Sequence, residues 1–251
     1  MGRSRLAAVR ASRIIDPEPA PLRAALGTEM GAVFARLHRA HGVDLRLGHA
    51  VTGLRGLGRV SAVTTSDGSE FPADAVVVGI GARPNTELAE RAGLACENGI
   101  VVDQSLRTED PDIYAVGDVA NSFNPLYGKQ IRVEHWANAL HGGPVAAMAM
   151  MGQQVTYDHL PYFFTDQYDL GMEFTGWFGP DGYEQIITRG DVDERAFHAF
   201  WLSGHRVVAA MHVNLWNDGI GPAQELIRSG QPVNPHRLAD SSVPLLELMH
   251  A

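Results

Sequence analysis

The sequence predicts an α/β chain in two parts: a partial doubly wound parallel sheet to about residue 152, then an α+β module built on an antiparallel sheet. Three observations carry this. An amphipathic helix is set among short apolar strands; two apolar runs, 75–78 and 113–116, each deliver a glycine; and from Tyr157 the chain becomes a series of aromatic-rich segments punctuated by glycines. At 251 residues with 45% hydrophobic content, the chain exceeds one typical domain and can bury more than one core.

Residues 4–11 read as the tail of a helix, and Arg13-Ile14-Ile15 as a short buried strand ending at Asp16. Pro17, Pro19 and Pro21 place a loop next. Thr28 is a candidate N-cap for a helix in which Met30, Val33, Phe34 and Leu37 recur at i, i+3, i+4 and i+7, with Gly42 beyond its end. Short strands are expected at Asp44–Leu47, 60–64 and 75–78, with an Asp67-Gly68 turn and Phe71 between the last two. Residues 75–78 are apolar without alternation, as in a parallel strand covered on both faces, and run into Gly79-Ile80-Gly81.

This series describes half of a doubly wound nucleotide-binding domain, whose ligands sit at the carboxyl ends of the strands. The fingerprint G-x-G-x-x-G belongs on the turn before the first helix, with an acidic residue about 20 residues further on. Asp16 fits the acidic position, so the chain is expected to start inside the first crossover helix, with the fingerprint before residue 1. Asp16 is then either a ribose ligand or a strand-end turn residue.

The most specific stretch is Gly99-Ile100-Val101-Val102-Asp103 followed by Thr108 and Pro111-Asp112-Ile113-Tyr114-Ala115-Val116-Gly117-Asp118. An apolar strand over 113–116 would deliver a glycine that permits close ligand approach, then a carboxylate able to accept a hydroxyl hydrogen bond. The run T-x-x-P-D-I-Y-A-V-G-D resembles the second FAD motif of the two-dinucleotide-binding flavoproteins. The segment Arg132-Val133-Glu134-His135-Trp136-Ala137-Asn138-Ala139-Leu140 is similar to that of ferredoxin and rubredoxin reductases and of apoptosis-inducing factor-like proteins. The resemblance implies that Trp136, with Glu134 and His135, adjoins the flavin's pyrimidine edge. A helix starting there would aim N–H groups at the ring. Trp136 as a large core residue is the alternative. Gly142-Gly143-Pro144 should kink or break that helix.

Beyond it, strands are expected at 162–168, 172–176, 184–188, 197–202 and 207–214, separated by Gly171, the turn 179–182, Gly190 and Gly204. A closing helix at 222–228 ends at Gly230. The run Y-F-F-T-D-Q-Y-D and the final D-S-S-V-P-L resemble the C-terminal module of the same reductases, including those of aromatic-ring dioxygenases. By that resemblance the chain divides into 1–95, the second part of an NAD(P)-binding domain, 96–152, the C-terminal part of an FAD-binding domain, and 153–251, the reductase module.

The implied activity is hydride transfer from NAD(P)H to FAD, then single-electron transfer to an iron–sulfur ferredoxin or rubredoxin. Gly117 and Asp118 would take the ribityl chain, Gly79, Ile80 and Gly81 would let nucleotide pass close to the backbone, and Asp16 would favour NADH by repelling a 2′-phosphate. No catalytic side chain and no metal is assigned. The N-terminal half of the FAD site is expected to be missing, so a separate chain could supply it; the alternative is a flavin-free remnant or interaction subunit. A net charge of −9 disfavours nucleic acid, and no apolar run reaches the roughly 20 residues of a membrane span. The single cysteine, Cys96, excludes an internal disulfide and fits a cytoplasmic setting. Neither H-E-x-x-H, G-x-S-x-G nor a P-loop occurs.

Overall fold

A computed structural model describes residues 11–179 and 182–250; the helix tail expected over 4–11 lies outside it except for Ala11, as do Pro180 and Asp181 of the expected turn. The chain divides into two compact units, Met1–Gly81 and Ala82–Ala251.

In the first unit β1 (Arg13–Asp16) pairs in parallel with β2 (Asp44–Leu47), Arg13 opposite Asp44 and Asp16 opposite Leu47. The crossover is α1 (Arg23–Ala40), which buries Leu26, Met30, Val33, Phe34 and Leu37, the apolar stripe that predicted it. It starts at Arg23, with Leu22 rather than Thr28 as N-cap, and is interrupted at Gly27, whose φ of 76° and ψ of 174° are non-helical, so Thr28 opens the longer stretch. Gly42, at φ +78°, follows the end as expected. A three-stranded antiparallel sheet, β3 (Val51–Arg55), β4 (Ala62–Thr65) and β5 (Glu70–Pro72), completes the unit. Its hairpin closes on Asp67, which accepts from Thr65 Oγ1, Ser69 N–H and Ser69 Oγ; the Thr65 bond is the first cause lowering its pKa to about 2.

The expected strand at 75–78 does not form, and Val77 and Val78 are exposed. A parallel strand needs ladder partners and covered faces, and among the described residues no strand lies beside it.

The second unit begins with α2 (Glu87–Arg91) and a small mixed sheet in which β6 (Ile100–Val102) runs parallel to β7 (Ala120–Asn124), itself antiparallel to β8 (Lys129–Arg132). The expected strand at 113–116 is reduced to an isolated bridge, Tyr114 to Arg107, with Ala115 N–H bonded to the Leu106 carbonyl. The pairing partner of β6 therefore starts just beyond the motif, at Ala120. Next comes α3 (Trp136–Met150), which continues through Pro144 rather than breaking there. Proline removes one N–H from the ladder, and the helix runs on past that gap to Met150.

A five-stranded antiparallel sheet follows, as expected: β9 (Tyr162–Gln167), β10 (Leu170–Gly176), β11 (Gln185–Asp191), β12 (Ala196–Ser203) and β13 (Arg206–Val213), in the order β11-β12-β13-β10-β9. Against it lies α4 (Gly221–Ser229), ended by Gly230 in the left-handed conformation at φ 58°. Two elements unforeseen in the sequence, α5 (Pro235–Ala239) and a 3-10 turn at Leu245–His250, add Leu238, Leu245 and Leu248 to the same core as Phe200, Leu202, Ala210 and Leu226. One register row crosses all five strands: Arg189 opposite His198, His198 opposite His212, His212 opposite Glu173, and Glu173 opposite Phe164. In it His212 Nε2 meets Glu173 Oε2 at 2.8 Å, and the Tyr162 hydroxyl donates to Glu173 Oε1.

Candidate functional site

The motif that ends at Asp118 forms a turn at the start of α3. Val116 is extended, Gly117 takes φ +73°, and residues 117–119 close a single 3-10 turn. That φ favours glycine; a Cβ there would meet the Ala139 Cβ at 3.5 Å. Asn138 ties this turn to the helix: its Nδ2 donates to the Gly117 carbonyl at 3.2 Å and the Val133 carbonyl at 3.0 Å, while the buried Tyr157 hydroxyl donates to its Oδ1 at 2.7 Å. Burial pushes the Tyr157 pKa up to about 12, so its proton stays in that bond.

Asp118 itself is exposed. Its backbone carbonyl accepts from Arg132 Nη1 at 3.1 Å; that guanidinium also pairs with Glu134 at 2.6 Å and donates through Nε to Asn98 Oδ1 at 3.1 Å. Arg132 has only 12% of its side chain exposed. The bend that accommodates it is Gly99, at φ +122°, where a Cβ would fall 2.6 Å from the Val119 carbonyl oxygen and 2.8 Å from Arg132 Cδ. Asp118, Arg132 and Glu134 line a cavity of about 540 Å³ whose other wall includes Arg83, Leu88 and Leu94.

His135 is the N-cap of α3, with its side chain making no capping hydrogen bond, so the helix start keeps its first-turn N–H groups free of a side-chain cap. Burial lowers the His135 pKa, against the opposing pull of Asp118 and Glu134. Trp136 is 72% exposed, which removes its reading as a core residue. A second cavity of about 490 Å³ is lined by Asn138, His141, Tyr157, His159, Tyr162 and Glu173 among others.

In the first unit Asp16 stands at the carboxyl end of β1 and accepts the Glu18 N–H on Oδ1 at 2.8 Å, so it does serve as a strand-end turn residue. Gly79, Ile80 and Gly81 lie in an exposed irregular segment, with nothing within 4 Å of a Cβ built on either glycine. Sequence reasoning gave no role to Asn138, Tyr157, Arg132 or Gly99. The signal for the first was its place two residues after Trp136, on the helix's inner face; Tyr157 carried none.

The sequence pattern of the pyridine nucleotide-disulphide oxidoreductases matches residues 5–143, more than half of the chain. The chain belongs to that family. This pyridine nucleotide-disulphide oxidoreductase continues into a reductase C-terminal domain, matched over residues 162–249. It is 40% identical over 233 residues to the anthranilate 1,2-dioxygenase system ferredoxin–NAD(+) reductase component of Burkholderia cepacia, covering 92% of this chain and 57% of that one. To putidaredoxin reductase of Pseudomonas putida it is 37% identical, covering 96% and 56%. The ferredoxin reductase for the CYP199A2 system from Rhodopseudomonas palustris superposes with a TM-score of 0.88 at 33% identity, over 94% of this chain and 58% of that one. Reductase in the covalent putidaredoxin reductase–putidaredoxin complex gives 0.88 at 36% identity, over 95% and 57%. This oxidoreductase thus spans little more than half the length of these relatives. No described helix is long and apolar enough to cross a membrane, and among the described residues no group of three His, Cys, Asp or Glu is placed to hold a metal.

Proposed function

We propose that the chain is the part of an FAD-dependent NADH:ferredoxin reductase that holds the ribityl and pyrimidine end of the flavin. One observation carries this reading: Asn138 binds the Gly117 turn, which leads into Asp118, to a helix start whose first N–H groups, those of Trp136 and Ala137, have no side-chain cap. Those donor types fit FAD, a ligand with hydroxyls on one part and ring carbonyls on another. FAD, when bound, would supply the hydride-accepting and single-electron chemistry. The chain's residues bind and orient. Asp118 accepts a ribityl hydroxyl hydrogen bond; Trp136, beside Glu134 and His135, offers an exposed ring to the pyrimidine side; and the α3 N-terminus favours negative charge on the reduced ring. Asp16, with Oδ1 holding the turn, presents a carboxylate that selects NADH over NADPH, and Gly79, Ile80 and Gly81 give the nucleotide open backbone.

In these terms 1–95 serves NAD(P)H, 96–152 the flavin, and 153–251 the reductase module. Ferredoxin is the acceptor this reading favours, since relatives named for ferredoxin reduction share both matched regions. The test is to add FAD to the purified chain, remove the excess, and record absorbance. Retained flavin bands near one per chain support the reading, and colourless protein in excess FAD refutes it. Reduction of a [2Fe–2S] ferredoxin against a rubredoxin by the assembled enzyme then separates the two acceptors.

A further inference from the structure

Phe163 of β9 lies on the His135 imidazole, with ring centroids 4.8 Å apart and planes at 23°. Behind it Phe174 stacks on Phe163 at 4.9 Å and meets Trp201 edge-on at 5.4 Å; both are buried in the C-terminal sheet. N-cap positions ordinarily hold Ser, Thr, Asp or Asn, whose side chains bond the first-turn N–H groups. His135 makes no such bond and has an extended backbone, φ −115° and ψ 142°. Its side chain is therefore engaged by the aromatic file instead, which leaves the helix start open and fixes it at the same time. The charged groups acting on the imidazole are Asp118, from the turn at 117–119, and Glu134, its chain neighbour. Phe163 adds no charge, only cover.

We propose that Phe163 is a positioning residue of the flavin site, clamping His135 and so fixing the N-cap from which the first-turn N–H groups of α3 point. The inference rests on the flavin reading above and makes the C-terminal sheet part of that site. Without the ring, His135 gains water and its two carboxylate neighbours prevail, so its titration moves upward.

The test uses the full 251-residue chain. His135 is titrated by NMR through its Cε1–H, assigned with His135→Gln, in flavin-free parent, Phe163→Ala, Phe163→Leu and Phe163→Tyr proteins. The parent midpoint is expected below the ordinary histidine value, with an upward shift for Ala and Leu and recovery for Tyr. FAD titration should show about 2- to 13-fold weaker binding for Ala and Leu, which is 0.5–1.5 kcal/mol for an aromatic pair converted to affinity, with Tyr near the parent. An unmoved His135 titration in both Ala and Leu proteins overturns the clamp. A shifted titration with unchanged FAD affinity overturns the positioning role. If the parent itself takes up no FAD, the flavin reading fails, while the titration still decides the clamp. Should Phe163→Ala not fold, Phe163→Leu gives the same readings.

Discussion

Replacing Asn138 with alanine removes three side-chain hydrogen bonds at once: two donated by Nδ2 to the Gly117 and Val133 carbonyls and one accepted from Tyr157. At about 0.5–1.5 kcal/mol net for each bond the sum is about 1.5–4.5 kcal/mol. Two features lower the upper end. One nitrogen serves both carbonyls, and the Tyr157 hydroxyl keeps the Asn138 backbone carbonyl as an acceptor at 3.2 Å. The expected loss is therefore about 2–3 kcal/mol, the middle of that range. The chain's four tryptophans, Trp136, Trp177, Trp201 and Trp216, all lie in the unit from Ala82 onward. Urea unfolding followed by tryptophan fluorescence therefore reports on that unit alone. Tyr157→Phe supplies the second arm of a double-mutant cycle, with a coupling of about 1 kcal/mol expected for groups in direct contact. Asn138→Ala within 0.5 kcal/mol of the parent, combined with additivity in the cycle, would refute the staple; such a result is what surface substitutions give, usually within about 0.5 kcal/mol.

Asp118→Ala should weaken FAD binding by about 1.5–3 kcal/mol, the range for a hydrogen bond to a charged group, and equal affinity by flavin-fluorescence titration removes Asp118 from the site. In the assembled enzyme Asp16→Ala should lower the ratio of kcat/KM for NADH over NADPH; an unaltered ratio leaves Asp16 as a turn residue only. Burial depresses the His198 pKa to about 4. Since that folded value lies below the unfolded one near 6.5, the unfolded chain binds more protons between the two, so stability is full above about pH 6.5 and falls toward pH 4, by something on the order of 3 kcal/mol. His198→Leu should flatten that slope in urea titrations across the same window, and an unchanged slope assigns it to other groups. Gly99→Ala, at φ +122° with a carbonyl oxygen 2.6 Å from the new carbon, should cost at least about 2 kcal/mol; wild-type stability would show that the bend relaxes freely.

The parts legible in the sequence are those whose pattern is local. The stripe of α1, the strands of the C-terminal sheet and the Gly230 terminator each declare themselves through residues a few positions apart. The strands at 75–78 and 113–116 read equally well as apolar runs, yet a parallel strand exists only with neighbours, and its pattern says nothing of whether they are present. β3 was missed because Gly53 interrupts the alternation of its five residues. In the site, the turn at Gly117 and Asp118 and the helix start at Trp136 were legible because each falls within a contiguous run, one ending at Asp118 and the other from Arg132 to Leu140. Tyr157 reaches Asn138 from nineteen residues away and Phe163 reaches His135 from the next module, contacts that no spacing rule encodes.

The row from Arg189 to Phe164 has a consequence for how the sheet finds its alignment. Side chains alternate between faces, so moving one strand by a single residue would carry its member of the row to the opposite face. There Trp201, Phe174 and Phe178 pack ring on ring, and a displaced Glu173 or His212 would meet an aromatic surface instead of its partner. An ionised group stranded in such a place costs several kcal/mol, whereas exchanging one apolar side chain for another of similar volume usually costs under about 1.5. A sheet made only of Val, Phe and Leu at these positions could bury itself in neighbouring alignments with little to choose between them. Four strands bring an arginine, two histidines and a glutamate onto one transverse line, and the alignment that joins His212 to Glu173 there is the one that keeps all four off the aromatic face.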